Sequence, residues 1–236
     1  MLVNGTSGFG KTTAVNQIVK ELFRQGHHIV YLDFSHSCTP KQLASHGIEK
    51  TFQEDNILRI QLESALENPE ELTSALEIMQ TENQILLFET YSDEVESFLT
   101  LLYETVSAKE ELEIFLVIDE VHELQYKKGS PLYRIMEMGR RNGISLIHIF
   151  QGSHQTKPKQ YSLMNQSDIR LIFRLTDYDD AEQIAKSNGL KPPGKFIEKI
   201  RQIPKHHCFV IGNLEDHNEE LYNNRFIEIA IPNINM

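Results

Sequence analysis

The sequence predicts an α/β fold of three layers, with a mainly parallel central sheet between layers of helices. Short apolar runs of strand length alternate with amphipathic segments of helix length along most of the chain. Several of these runs are apolar throughout, which is typical of strands that are buried on both faces. The 236 residues, 40% apolar and 24% charged, suffice for one sizeable core. This composition excludes disordered, collagen-like and disulfide-scaffold proteins.

In the first half of the chain, predicted strands and helices follow one another with few interruptions. They cover, in chain order, residues 1–4 (strand), 11–24 (helix), 29–32 (strand), 85–88 (strand), 94–107 (helix) and 114–118 (strand). Gly26 is expected to end the first helix. Residues 39–83 are acidic and are predicted to be a helical insertion, with one helix over residues 69–79.

The second half begins with a clear helix start at Ser130-Pro131, where serine is an N-cap and proline takes the first helical position. This helix is expected to run to about Asn142, with Gly143 at its end. The later predicted elements are residues 144–150 (strand), 169–175 (strand), a helix near Ala181, and residues 208–211 and 226–231 (strands). Alternating strands and helices imply parallel pairing through right-handed crossovers, so residues 1–236 are predicted to form one domain.

A glycine-rich segment lies between the first predicted strand and the first predicted helix. It matches G-x-x-x-x-G-K-[ST], and with the next threonine it comprises Gly5, Thr6, Ser7, Gly8, Phe9, Gly10, Lys11, Thr12 and Thr13. Glycines allow backbone N–H groups to turn around a phosphate, and the helix dipole adds attraction. In such a loop the Lys11 ammonium is predicted to bind the β- and γ-phosphates, and the Thr12 hydroxyl is predicted to ligate Mg²⁺. A chance glycine-rich turn need not lie between a strand and a helix, so the context favours nucleotide binding.

Two acids follow the clearest buried strand, residues 114–118. Asp119 at the strand tip is predicted to hold the Mg²⁺ shell, and Glu120 to act as general base toward the attacking water. The alternative is a buried strand that ends in two solvated acids, but the phosphate loop favours the functional interpretation. The adjacent glutamate also favours ATP hydrolysis over a GTPase switch, and no Asn-Lys-x-Asp segment is present. The sequence therefore predicts a Mg²⁺-dependent ATPase.

Gln151 ends the next predicted strand. The carboxyl edge of a parallel sheet is where ligands bind, so a glutamine there can sense the γ-phosphate or position water. A polar residue that merely caps the strand is the alternative.

Together these elements resemble the HerA/FtsK superfamily of ATPases, and HerA-like proteins most closely. The resemblance rests on residues 5–13, on residues 116–124 with the acid pair, and on residues 138–151. In that last segment the family has a helix ending in Gly-Arg-basic-x-Gly, here Gly139 to Gly143, and then a strand ending in glutamine. The strand ending at Asp33, and residues 169–175 with the aspartates after them, also resemble family segments. The resemblance extends to about Leu190.

The resemblance implies a RecA-like P-loop NTPase core that assembles into a hexameric ring, with ATP at subunit interfaces and DNA in the central pore. It also implies a DNA translocase or helicase-like motor, with a nuclease or another effector as a further partner. HerA proteins usually have an N-terminal β-barrel before the phosphate loop, whereas this sequence starts almost at the loop. We therefore expect either a core fragment or a minimal form. Val121-His122 replaces the more usual Ala-His pair.

A ring ATPase normally completes its site with an arginine from the neighbouring subunit. Arg140 and Arg141 are the best candidates by position, and Arg170 and Arg174 are alternatives. A basic helix end that is simply exposed to solvent would also suit the helix dipole.

A few lysines could contact DNA. Lys157 and Lys159 follow the strand that ends at Gln151, and Lys127 and Lys128 lie in the loop after the acid pair. Basic loops of this kind can track a phosphate backbone. For any single lysine, ordinary solvation is the better explanation.

Charge and composition limit the remaining classes. The net charge is −11, from 23 basic and 34 acidic residues, which argues against a surface coated for nucleic acid but permits a local basic site. No apolar run approaches the roughly 20 residues that span a bilayer, and the first residues lack the pattern of a signal peptide. Cys38 and Cys208 form no C-x-x-C pair, so reduced thiols in a cytoplasmic protein are expected. No Cys/His spacing predicts zinc.

Two functions of different classes follow. The first is an ATP-driven DNA translocase working as a ring. The second is a regulatory P-loop ATPase switch in a signalling or defence complex that does not move DNA. A transporter ATPase of the ABC type is set aside because the residues before the strand at 114–118 contain no Leu-Ser-Gly-Gly segment.

Overall fold

A computed structural model of the chain describes most of its residues. The described residues are 1–33, 56–89, 94–119, 121, 124–151, 166–187, 193–212, 214–215, 221–222 and 227–231. They fall into two compact units. The first unit comprises Met1–Val15 and Ile149–Met236, and the second comprises Asn16–His148.

Strands and helices alternate along the described chain. The strands are β1 (Leu2–Gly5), β2 (His28–Asp33), β3 (Ile57–Gln61), β4 (Ile85–Glu89), β5 (Ile114–Ile118), β6 (Ile144–Gln151), β7 (Ile169–Ile172), β8 (His207–Gly212), β9 (Leu214–Glu215), β10 (Leu221–Tyr222) and β11 (Ile227–Ala230). The α-helices are α1 (Lys11–Arg24), α2 (Leu62–Glu67), α3 (Pro69–Glu82), α4 (Val95–Ser107), α5 (Pro131–Met138), α6 (Tyr178–Ser187) and α7 (Pro193–Arg201).

The first unit holds β1 in a mixed arrangement with the late strands. Its strand order is β11-β8-β7-β1. β1 pairs with β7 in parallel, with Asn4 opposite Ile172, whereas β8 is antiparallel to both β7 and β11. The short hairpin of β9 and β10 forms a separate two-stranded sheet. A parallel strand pair thus leads directly into the glycine-rich segment after β1.

The second unit holds a fully parallel set of strands in the order β6-β5-β2-β4-β3. In register, Ile118 of β5 lies opposite Leu32 of β2 and His148 of β6. β5 is almost wholly buried, as its apolar sequence predicts. The core includes Phe88 and Phe98, whose ring centroids are 4.5 Å apart. Asp119 follows β5 at the carboxyl end of these strands, where α/β sheets bind ligands.

These strands and helices give the predicted fold class, a mostly parallel mixed sheet with helices. The helix predicted over residues 11–24 is α1, and the strand predicted over residues 114–118 is β5. Ser130 is the N-cap of α5, and its side-chain oxygen accepts a hydrogen bond from the Tyr133 N–H. Gly143 has a left-handed φ of 79°, as a glycine at a helix end should.

Several elements differ from the predictions, among them the unpredicted short strands β9 and β10. Within residues 39–83, the described part contains the strand β3 as well as helices, because Ile57–Gln61 pairs residue by residue with β4. The helix after Ser130 changes from α to 3-10 at Gly139–Asn142. The Ile144 carbonyl oxygen packs closely on Gly139, since a Cβ added to that glycine would lie only 2.9 Å from it. β7 ends at Ile172 rather than at residue 175. The helix α7 was not predicted.

Candidate nucleotide site

The phosphate loop, residues 5–12, joins β1 to α1 within the first unit. Its tip at Ser7 and Gly8 is exposed, and its two later glycines have left-handed φ angles, 81° at Gly8 and 99° at Gly10. Residues with a Cβ rarely adopt such angles, so glycine is required at both turns. The backbone therefore folds back on itself ahead of the helix, as predicted for a loop whose N–H groups surround a phosphate.

The first turn of the loop is anchored to the chain that follows β7. The Thr6 N–H donates to the Arg174 carbonyl at 2.8 Å, and the Thr176 N–H donates to Thr6 Oγ1 at 3.2 Å. Gly5 lies so close to Phe173 that an added Cβ would be 2.5 Å from the Phe173 Cβ. The Thr6 amide is thus committed to the protein, and the amides available to a phosphate lie further along the loop.

Lys11, the first residue of α1, is only 7% exposed. Its Nζ donates to the Thr6 carbonyl at 3.3 Å, which draws the ammonium back over the turn of the loop. A buried cation at a helix N-terminus concentrates positive charge where the loop N–H groups converge. This arrangement can attract and hold the phosphates of a nucleotide.

The second turn of the loop contacts two residues that sequence reasoning did not assign to it in this way. The Arg174 guanidinium carbon lies 5.2 Å from the centroid of the Phe9 ring. The His206 N–H donates to the Phe9 carbonyl at 3.2 Å. The sequence makes Arg174 an alternative candidate for an arginine donated to a neighbour, whereas in the structure it contacts the phosphate loop of its own chain. Neither contact has a sequence signal, because both residues are remote from the loop along the chain.

Asp119 lies in the second unit, directly after β5. It is 8% exposed, and its backbone N–H donates to the Leu32 carbonyl at 3.1 Å, which extends the β2–β5 pairing by one residue. This bond holds the backbone of Asp119 at the end of the strand. The predicted general base Glu120 lies outside the described residues.

The other predicted site residues are located as follows. Gln151 is the last residue of β6, at the carboxyl end of that strand. Arg140 and Arg141 are exposed in the 3-10 turn that follows α5. Arg170 is half-buried in β7, and desolvation by burial lowers its pKa from the ordinary value while the charge of Asp168 opposes the shift.

Of the four loop lysines predicted as DNA contacts, two lie within the described residues. Lys127 and Lys128 are exposed just before the Ser130 cap, and the Lys127 N–H donates to Ser130 Oγ at 3.3 Å. Lys157 and Lys159 lie outside the described residues.

The donor chemistry of the predicted magnesium ligands fits the ion. Mg²⁺ prefers hard oxygen ligands, and it usually keeps several waters beside one or two protein groups and substrate phosphates. Thr12, the half-buried second residue of α1, supplies a hydroxyl, and Asp119 supplies a carboxylate. Each of the two residues therefore supplies an oxygen of the type that Mg²⁺ prefers.

The glycine-rich loop between a parallel strand and a helix defines an α/β P-loop nucleoside triphosphatase fold. Within this class, a match to a family model shows the family of the chain. The model described as an AAA domain matches residues 1–157, about two thirds of the chain. The chain belongs to the AAA domain family of P-loop ATPases. No curated protein matches the chain in sequence.

Solved structures share the fold at low sequence identity. The genome packaging NTPase B204 of Sulfolobus turreted icosahedral virus 2, in complex with AMPPCP, is 15% identical, with 96% of each chain covered and a TM-score of 0.58. VirB4 of Thermoanaerobacter pseudethanolicus is 10% identical over 99% of this chain and 89% of its own, with a TM-score of 0.63. The bacterial conjugative coupling protein TrwBdeltaN70 is 14% identical over 98% and 84%, with a TM-score of 0.59. At these identities the likeness concerns the fold alone.

Within the part of the chain that the structure describes, no helix is long and apolar enough to cross a lipid bilayer.

Proposed function

We propose that the chain is a Mg²⁺-dependent ATPase that forms a hexameric ring and moves or processes DNA, as HerA-type motors do. The observation that carries the proposal is the phosphate loop. Its two left-handed glycines and the buried Lys11 ammonium make a ready site for nucleotide phosphates. Family membership supports hydrolysis, and the fold shared with a genome packaging NTPase and a conjugative coupling protein supports DNA as the partner.

In this proposal the predicted site residues share the work of binding and hydrolysis. Lys11 binds the β- and γ-phosphates, and Thr12 and Asp119 hold Mg²⁺ through their oxygens. Glu120 accepts a proton from the attacking water, and Gln151 positions that water or senses the γ-phosphate. Bound Mg²⁺ supplies charge neutralisation at the phosphates.

The proposed ring would complete each site in trans. Arg140 and Arg141 are exposed in a short 3-10 turn, so both side chains lie at the surface, where a neighbouring subunit would meet them. Arg174 contacts the Phe9 ring of its own loop, so it is a weaker candidate for a finger. If Arg140 or Arg141 acts in trans, its alanine variant hydrolyses ATP slowly, and mixing it with Lys11→Ala subunits restores turnover at mixed interfaces. Unchanged turnover after mixing would refute the role in trans.

Basic loops support a DNA contact on an otherwise acidic protein. Lys127 and Lys128 are exposed. Because the net charge is −11, DNA would have to bind at local basic sites of this kind. Lys157 and Lys159 are proposed as further contacts. A nuclease or another effector is proposed as a protein partner of the ring.

A regulatory ATPase switch remains the second candidate. The net charge of −11 favours it, because an acidic body repels the DNA backbone away from any local basic site. A switch would hydrolyse ATP slowly, and DNA would not change the rate.

One experiment separates the two candidates. ATP hydrolysis by the purified chain is measured with and without duplex DNA, and the particle mass is measured by light scattering in the same samples. The motor predicts at least severalfold stimulation by DNA in a particle of about six times the 27.3 kDa chain mass. The Lys11→Ala variant is the control and should be inactive with DNA. Slow turnover by a monomer, indifferent to DNA, would overturn the motor in favour of the switch.

A further inference from the structure

We propose that His206 is a positioning residue of the phosphate loop, holding the peptide groups around Gly10 in the orientation that binds nucleotide. The inference rests on the proposed nucleotide binding and concerns that same site. His206 lies in the turn that precedes β8, almost two hundred residues from the loop along the chain.

His206 has a backbone conformation that non-glycine residues rarely adopt. Its φ is 61°, and among the described residues only Asn83, with φ 51°, shares a left-handed angle without being glycine. Left-handed angles occur several-fold more often in asparagine and histidine than in most residues, yet they remain unfavourable. Such strain persists where surrounding contacts fix the conformation, and it is found often at ligand sites.

Hydrogen bonds fix this residue from several sides. Its N–H donates to the Phe9 carbonyl at 3.2 Å, and its own carbonyl accepts the Ile231 N–H at 2.7 Å. The next N–H, that of His207, closes the turn onto the Pro204 carbonyl at 3.2 Å. The turn over residues 204–207 therefore links the phosphate loop to the antiparallel pair of β8 and β11.

The imidazole completes the contact. A Cβ added to Gly10 would lie 2.9 Å from His206 Nδ1, so the ring packs on the bare face of that glycine. Nδ1 is buried and has no hydrogen-bond partner among the described residues. The ring therefore acts here by occupying space, which prevents the loop from moving toward it.

The two peptide groups beside Gly10 are consequently fixed. The Phe9 carbonyl is held by the His206 N–H, and the Gly10 carbonyl accepts the Ala14 N–H at 3.0 Å as the first bond of α1. In a trans peptide the N–H points opposite to the carbonyl. The N–H groups of Gly10 and Lys11 are therefore directed away from these two partners, and they are amides that a phosphate loop presents to its ligand.

The test removes the ring without straining the backbone. His206→Gly keeps the N–H bond to Phe9 and accepts the left-handed angle more readily than histidine does. We expect its Kd for Mg²⁺-ATPγS, measured by calorimetry, to rise about tenfold, because the loop can then move into the space that the ring filled and must be ordered on binding. KM for ATP should rise with it while kcat stays near the wild-type value, and the urea midpoint should not fall. Asn83→Gly, the matched change in the second unit, should leave Kd unchanged.

His206→Asn serves as a second variant, since asparagine also tolerates the left-handed angle but lacks the imidazole. It should weaken ATPγS binding about as much as His206→Gly does, and it serves as the test on its own if His206→Gly does not fold. Kd values within twofold of wild type for the folded variants would overturn the inference. Failure of the wild-type chain itself to bind ATPγS would instead overturn the proposed function.

Discussion

Replacing Gly10 with alanine should destabilise the protein more than the same change at Gly8, although both glycines have left-handed φ angles. The angles are 99° at Gly10 and 81° at Gly8. The two positions differ in their surroundings. A Cβ at Gly8 would have nothing within 4 Å, whereas a Cβ at Gly10 would lie 2.9 Å from His206 Nδ1 and 3.5 Å from the His206 Cα.

The magnitude follows from these two terms. An L-residue in the left-handed region costs about 1–2 kcal/mol, and this term applies to both variants. The second term applies to Gly10→Ala alone, because only there would the new Cβ meet a neighbour, and the backbone bonds of His206 to Phe9 and Ile231 keep that residue beside Gly10. Overpacking of this kind costs about 1–3 kcal/mol. We therefore expect about 1–2 kcal/mol for Gly8→Ala and about 2–5 kcal/mol for Gly10→Ala.

Urea unfolding of the full chain measures both losses, and thermal unfolding should follow, at about 2–4 °C per kcal/mol for a chain of this size. The double variant Gly10→Ala with His206→Gly isolates the second term. Against the His206→Gly background, Gly10→Ala should cost no more than Gly8→Ala costs in the wild type. Equal losses in the two single variants, or no relief in the double variant, would refute the reasoning.

Three further predictions concern single groups. Glu120→Gln should still bind ATP while turnover falls about 100-fold or more, the usual contribution of a general base, and wild-type turnover would remove Glu120 from that role. Burial lowers the pKa of His148 well below 6.5, so the unfolded chain takes up a proton that the folded chain does not. Stability should thus fall as the pH drops below 6.5, and His148→Phe should flatten the plot of urea midpoint against pH; an unchanged slope would contradict this. Burial also raises the pKa of the Cys208 thiol to about 12, so in a Cys38→Ser background a thiol reagent at pH 8 should react only after unfolding, and rapid reaction of the folded chain is the opposing result.

The parts of the fold that could be predicted are those with local signals. α1 begins and ends where the sequence indicates, because a glycine-rich loop precedes it and Gly26 follows. The cap at Ser130 and the turn at Gly143 are likewise set by single residues with known backbone preferences. The strand β5 has five apolar residues in a row, a run that is typical of a buried strand or a short buried helix segment.

The parts that could not be predicted depend on tertiary pairing. β3 is a strand because it lies beside β4, and Arg59 within it interrupts the apolar pattern that would have identified it alone. α7 has four charged residues among its nine, and among its described side chains only Ile197 and Ile200 are buried, so its apolar face is small. In both cases the neighbouring element supplies the stability that the local sequence does not indicate.

The same distinction holds within the site. The phosphate loop could be predicted because its residues are contiguous and each has a chemical reason for its type. The contacts of Thr6 with Arg174 and Thr176 could not, since they require the parallel register of β1 and β7. His206 could not be predicted either, because nothing in the local sequence reveals a left-handed turn against the loop.

The most direct test of the central claim is equilibrium binding of ATPγS by the full chain and by Lys11→Ala, measured by calorimetry with Mg²⁺ present. The phosphate loop with its buried Lys11 predicts one nucleotide per chain in the wild type. Loss of that ammonium should raise the Kd at least about tenfold, which corresponds to a loss of about 1.4 kcal/mol of binding free energy. Absence of binding to the wild type, or equal binding by both proteins, would contradict the assignment of residues 5–13 as the nucleotide site.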